Sequence, residues 1–207
     1  MTNEFDKFVE DVDDSLCVVC FDALEEELNN KKPESRECLA KLTSQDARCP
    51  LFVTWNLKNG DDEDLRGCIG TLEPTSLNNL KKYARMSAFQ DSRFPPIRSK
   101  EIQNLICKLS LLHSYEECKD YLDWEIGKHG LVVEFDSNGF SYSATYLPEV
   151  ALEHNMSKEY AVEQLIRKSG YRGRVTDDLL SKLRVTRYQS KKVKMDYNHY
   201  LSHISTQ

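Results

Sequence analysis

No stretch of the sequence approaches the roughly 18–20 consecutive apolar residues of a membrane-spanning helix. The opening residues, MTNEFDKFVEDVDD, are acidic and lack the basic-then-apolar pattern of a secretory signal. The expectation is a chain that neither enters a membrane nor is exported, and that works in the cytoplasm and/or the nucleus. Positive charge is in deficit: 28 Lys and Arg face 34 Asp and Glu, for a formal net charge of −6. Such a balance opposes general binding to a nucleic-acid backbone, which needs a positive field. The local basic run of Arg184, Arg187, Lys191, Lys192 and Lys194 reads as a solvated strand edge and tail. Paired metal motifs are missing too. Cys17-x-x-Cys20 has no second CxxC at finger spacing, and His199-x-x-x-His203 lacks the glutamate of a catalytic zinc helix. No metal and no cofactor is expected, since GCIG also lacks the GxGxxG arrangement of a dinucleotide loop.

What is present is an ordinary globular composition, 40% hydrophobic and 30% charged, in 207 residues. Seven cysteines, an odd count with no export signal, read as reduced thiols. Cys20 falls on an apolar helical stripe with Leu16, Val19, Ala23 and Leu24, and Cys107 alternates with Leu109 and Leu111 as a core strand residue does. The periodicities predict a helix over 15–28, a loop over 29–38, and a strand carrying Leu51, Val53, Trp55 and Leu57 on one face. A turn at Asn59-Gly60 then returns LRGCIGTL as the second arm of a hairpin. A helix is expected from Pro74-Thr75 to Ala88, with Leu77, Leu80, Ala84 and Ala88 inward. An extended segment follows at DSRFPPIRS, then a short helix over 100–105 and a strand over 106–112. Ser114 to Glu117 has capping-box spacing and predicts a helix through ECKDYLDW. LVVEF and FSYSATY make a second hairpin, the latter covering a core with Phe140, Tyr142, Ala144 and Tyr146. Two helices follow, one opened by Pro148 and one ended by Gly170, and then a last strand over 183–188. Hairpins mixed with helices, without βαβ alternation, give an α+β class with a mainly antiparallel sheet flanked by helices.

Three segments carry candidate sites. Only 8 glycines occur in the chain, and two of them, Gly67 and Gly70, fall in one strand-like octapeptide, Leu65–Leu72. Glycine inside a strand marks a bulge or a close approach by ligand or backbone. Period-two alternation sends Arg66 and Cys68 to the same face, where a guanidinium favours the nucleophilic thiolate. The competing reading is an arginine paired with a carboxylate, a packed cysteine, and glycines that accommodate a helix. The second segment is a rigid loop with both charges and an aromatic: Asp91, Arg93 and Phe94 ahead of Pro95-Pro96. The third is Gly127-Lys128-His129-Gly130, a tight turn that carries a titratable imidazole, with a structural or solvated histidine as the alternative.

LRGCIG at 65–70, SAFQDSRFPP at 87–96, DYLDWEIGKHGL at 120–131, ATYLPEVA at 144–151 and the KSGY stretch at 168–171 together resemble the AMMECR domain family, closer to its eukaryotic members. The resemblance spans about residues 15–190, leaving 1–14 as an acidic N-terminal segment and 191–207 as a C-terminal tail. It implies two lobes, the larger built from both chain ends and the smaller mainly β, with the hexapeptide lining a cleft between them. It also implies a link to Memo-type and radical-SAM proteins, an association that carries no mechanism. Three functions follow as expectations. The preferred one is a binding or adaptor module for an unknown protein or small-molecule ligand, because Cys68 and Arg66 alone make no catalytic constellation. The second is an enzyme or enzyme subunit using Cys68 with Arg66 and, if brought near, His129. The third, a nucleic-acid regulator, runs against the charge balance.

Overall fold

The structure, a computed structural model, describes residues 8, 9, 11–31 and 47–205. Beyond residue 31, the loop expected over 29–38, and Cys38 with it, lies outside the described residues. The chain forms two compact units: residues 1–111 with 191–207, and residues 112–190.

In the first unit, α1 (Ser15–Asn29) buries every residue from Leu16 to Glu25. β1 (Arg48–Asn59) and β2 (Asp62–Ser76) form the expected hairpin. A short 3₁₀ turn (Leu77–Asn79) and α2 (Leu80–Phe89) follow, with Leu77, Leu80, Ala84 and Ala88 all buried as their spacing predicts. The strand persists through Pro74, so this helix starts later than expected. β2 ends the strand order, where a proline costs no ladder bond, and Ser76 caps the turn by accepting from the Asn78 N–H. A second 3₁₀ turn (Ser99–Asn104) leads into β3 (Leu105–Glu117). The core joins α1, β1, α2 and the first half of β3 around Phe21 and Trp55, whose rings meet edge-on at 5.1 Å. Cys17, Cys20 and Cys107 are fully buried in it.

In the second unit, β4 (Gly130–Ser137) and β5 (Phe140–Tyr146) form the other hairpin, followed by α3 (Pro148–Glu153), α4 (Lys158–Lys168) and α5 (Asp177–Ser181). The α4 stripe of Ala161, Val162, Leu165 and Ile166 is fully buried against Trp124, Val133 and Phe135. Phe140 departs from its expected core position and is 67% exposed at the hairpin turn, while Tyr142, Ala144 and Tyr146 pack. The helix expected after Ser114 does not form. β3 continues to Glu117, and Asp120 and Asp123 accept backbone N–H groups of Leu122 and Lys119, closing local turns that compete with a helix.

β6 (Arg184–Asp196) and α6 (Tyr197–Ser205) extend the structure past the expected last strand. Residues 191–205, read from sequence as tail, hold the buried Met195 and Tyr200, and the Tyr200 hydroxyl donates to the buried Asp22 at 2.9 Å. The hydrogen-bonded strand order is β2-β1-β3-β6-β4-β5, with the pairs β1–β2, β1–β3, β4–β5 and β4–β6 all antiparallel. The class is α+β with a mainly antiparallel sheet. β6 is therefore not an edge strand. Its basic residues are paired instead: Arg184 with Asp136, Arg187 with Glu116 and Asp123, and Lys194 with Glu63. No helix among the described residues is long and apolar enough to cross a membrane.

Candidate functional site

The site grows from an irregularity in the first hairpin. From the turn, Asn59 faces Asp62 and Asn56 faces Leu65, but Trp55 faces Gly67, so Arg66 is the extra residue of a β-bulge. Period-two counting no longer assigns Arg66 to the face of Cys68. The Arg66 side chain is buried and turns to the loop after α2. Its Nε donates to Glu101 Oε1 at 2.8 Å and its Nη1 to the Pro95 carbonyl at 2.7 Å. Nη2 reaches the Pro96 carbonyl at 3.3 Å and Glu101 Oε2 at 3.4 Å. Burial raises the Glu101 carboxyl, but the Arg66 guanidinium and the Arg98 N–H outweigh it and hold it below its ordinary value.

The next residue explains its own identity. A Cβ on Gly67 would strike the Ser87 carbonyl of α2, well inside the 3.0 Å that real Cβ atoms respect. α2 lies that close because Trp55 on β1 donates its Nε1–H to the Ala84 carbonyl at 3.1 Å. Gly70 is required in the same way, since a side chain there would meet the Leu51 carbonyl and the Phe52 ring. Gly67 thus answers to a helix and Gly70 to the neighbouring strand.

Cys68 is half-buried, and its sulfur accepts from the Thr54 hydroxyl at 3.1 Å, directly across the ladder. Its backbone is capped by the loop. Asp91 Oδ2 accepts the Cys68 N–H at 2.9 Å, and Arg93 Nη2 donates to the Cys68 carbonyl at 3.3 Å. Because β2 ends the strand order, Asp91 and Arg93 stand where a neighbouring strand would put its own C=O and N–H. The two are also paired with each other, Nη2 to Oδ2 at 2.7 Å and Nε to Oδ1 at 3.0 Å. The Arg93 fork and the Cys68 N–H hold the Asp91 carboxyl well below the usual carboxylate range, and Asp91 in turn raises Arg93. The exposed Arg93 guanidinium lies over the Phe94 ring, 5.4 Å from its centroid.

Arg66, Gly67, Cys68, Gly70, Asp91, Arg93 and Phe94 therefore belong to one assembly in the first unit. Glu101 and Thr54 join it, neither singled out from sequence. A pocket of about 350 Å³ opens beside it, lined by Arg66, Phe94, Pro95, Arg98, Lys100 and Glu101.

Lys128 and His129 belong to the second unit and to their own network. His129 is buried; its Nδ1 accepts the Glu125 N–H at 3.0 Å and its own N–H bonds the Glu125 carbonyl at 3.0 Å. An accepting Nδ1 fixes the neutral Nε2–H tautomer. Burial, then the Lys128 charge, lowers the histidine from its ordinary value. Lys128 is exposed and pairs with Glu125 at 3.0 Å. Among the described residues no cluster of three or more His, Cys, Asp or Glu is arranged to hold a metal.

The sequence is similar to uncharacterised proteins of a plant and a fungus. One from Arabidopsis thaliana is 44% identical, the match covering 91% of this chain and 87% of that one. One from Schizosaccharomyces pombe is 37% identical, covering 91% and 95%. A solved structure of an uncharacterised protein from Pyrococcus horikoshii shares the fold, with a TM-score of 0.66 and 24% identity over 95% of this chain and 94% of that one. Residues 17–193 match the AMMECR1 family, and with the site and its scaffold now in place, the chain belongs to that family.

Proposed function

We propose that this AMMECR1-family chain is a binding or adaptor module, and that the surface built by LRGCIG and the DSRFPP loop is where it takes its partner. One observation carries the reading. The polar groups of the hexapeptide are engaged in fixing that loop: Arg66 grips the Pro95 and Pro96 carbonyls, and the Cys68 backbone grips Asp91 and Arg93. A loop held in advance loses little conformational freedom on binding, which is what a recognition surface requires. Six free cysteines among the described residues fit a reducing compartment, and so a role in the cytoplasm or nucleus.

The test is a photo-crosslinking amino acid in place of Phe94, introduced in cells. The expected result is a discrete adduct that a crosslinker at exposed Lys182 does not give, and that Arg66→Ala removes. Adducts no different between the two positions would overturn the reading.

A second reading keeps Cys68 as a nucleophile. It is favoured by geometry: the Thr54 hydroxyl donates to the sulfur at 3.1 Å, and the Arg93 guanidinium reaches the Cys68 carbonyl at 3.3 Å. It requires Cys68 to alkylate faster near neutral pH than a model thiol, and Thr54→Val to slow that reaction. A rate equal to the model thiol's and unmoved by Thr54→Val would exclude it.

A further inference from the structure

The pocket beside the loop has a charge unlike that of the chain around it. Arg66, Arg98 and Lys100 bring three cations to its wall and Glu101 one carboxylate, in a chain whose formal net charge is −6. That carboxylate is already engaged on both oxygens: Oε1 accepts from Arg66 Nε, and Oε2 from the Arg98 N–H at 2.8 Å. Glu101 bonds the Arg66 guanidinium and also interacts with the Arg98 charge, but the three cations of the lining still outnumber this one carboxylate. Pro95 and the half-buried Phe94 add apolar lining to the same pocket. The floor is stiff, because Arg66 ties both proline carbonyls to β2.

Resting on the binding-surface reading above, we infer that this pocket takes an oxyanion carried on an apolar stem, presented by a side chain of an extended partner peptide. The volume is at the small end of ligand sites, enough for one or two side chains rather than a nucleotide cofactor. Arg98 and Lys100 supply the charge that a carboxylate or phosphate seeks. Phe94 and Pro95 cover the stem that carries it. Carboxylate and phosphate share this chemistry, so glutamate and phosphotyrosine are the two sources to separate.

The experiment is an NMR titration of the uniformly labelled full chain with three probes: an acetylated, amidated Glu-Leu-Glu tripeptide, its Lys-Leu-Lys counterpart, and acetylated, amidated phosphotyrosine. The expected result is saturable shifts at the amides of Phe94, Arg98, Lys100 and Glu101 with at least one oxyanion probe and none with the basic peptide. Whichever oxyanion binds more tightly names the source. Added salt weakens the binding, and the Arg98→Gln/Lys100→Gln double variant, with its remaining spectrum unchanged, weakens it about tenfold or more. Failure of both oxyanion probes to saturate, or equal affinity in the double variant, would overturn the inference. If the Phe94 crosslink survives such a failure, the surface still binds and only the ligand chemistry is wrong; if both vanish, the binding reading falls as well.

Discussion

Replacing Arg66 with alanine removes a guanidinium that satisfies one carboxylate and two proline carbonyls at once. The side chain is 10% exposed and its partner Glu101 19% exposed, so water replaces the lost contacts only in part. Breaking one partner of a buried ion pair costs about 3–5 kcal/mol. The partial access to Glu101 sets the expectation near the lower end, about 3 kcal/mol. Arg66→Lys keeps the charge but not the planar fork that reaches Glu101 and both carbonyls together. It forfeits one or two charge-assisted bonds and costs about 2 kcal/mol. The pair is best isolated by the double-mutant cycle Arg66→Ala with Glu101→Ala, whose coupling should be about 1–3 kcal/mol.

Each unit holds one of the two tryptophans, Trp55 in the first and Trp124 in the second. Urea unfolding in a Trp124→Phe background therefore reports the first unit through the buried Trp55 alone. A change in midpoint at constant slope reads as a stability change. The reasoning is refuted if Arg66→Ala costs less than about 0.5 kcal/mol, as an exposed substitution would, or if the cycle is additive within about 0.5 kcal/mol.

Gly67→Ala drives a methyl into the Ser87 backbone carbonyl, which cannot swing aside as a side chain could, and should destabilise the first unit by about 1–3 kcal/mol or more; the same Trp55 signal checks it, and an unchanged midpoint would deny the close approach. Asp91 has a lowered folded-state value, so its contribution is present above the unfolded value, near pH 4, and is lost as pH falls through the folded one. The stability gap between wild type and Asp91→Asn should accordingly narrow on acidification below about pH 4, and a gap constant with pH would contradict the assigned pairing. His129 is also lowered, by burial first. Stability of the second unit is full above the unfolded histidine value, about 6.5, and declines as pH falls below it because the unfolded chain takes the proton first. Long-range ¹H–¹⁵N correlation should show the Nε2–H tautomer at neutral pH, and an Nδ1-protonated ring would refute the Glu125 N–H bond.

Much of the scaffold was legible from periodicity because one physical signal, burial on one face, dominates each element. The α1 and α4 stripes, both hairpins and the inward face of α2 all follow from it. The expected helix after Ser114 failed because capping-box spacing is a local signal, and residues 114–117 were claimed by pairing along β3 while Asp120 and Asp123 closed turns of their own. The buried end of the chain was missed for a related reason. Lysines alternate with Val193 and Met195 along β6, and their density hid the apolar face beneath them.

The candidate site shows where counting along a strand stops being informative. Counted symmetrically from the Asn59–Asp62 turn, Thr54 pairs with Gly67 and Arg66 shares the face of Cys68. The bulge moves the pairings from Trp55 to Leu51 by one residue, brings Thr54 opposite Cys68, and frees Arg66 from the alternation. Nothing in the eight residues Leu65–Leu72 announces that shift except the glycine that follows it. What decides it is distant: Ser87 on α2 pressing on Gly67, and Glu101 with two proline carbonyls offering Arg66 a place to go. The proximity of guanidinium and thiol inferred from spacing is thus replaced by a division of roles. Arg66 builds the loop, and the cation set nearest Cys68 is Arg93, itself held by Asp91. A substitution at Arg66 therefore acts on Cys68 only through the position of the loop. Arg93→Gln leaves the buried Asp91 carboxylate without its main partner and should destabilise the first unit at neutral pH, read through Trp55, a cost that fades on acidification below about pH 4.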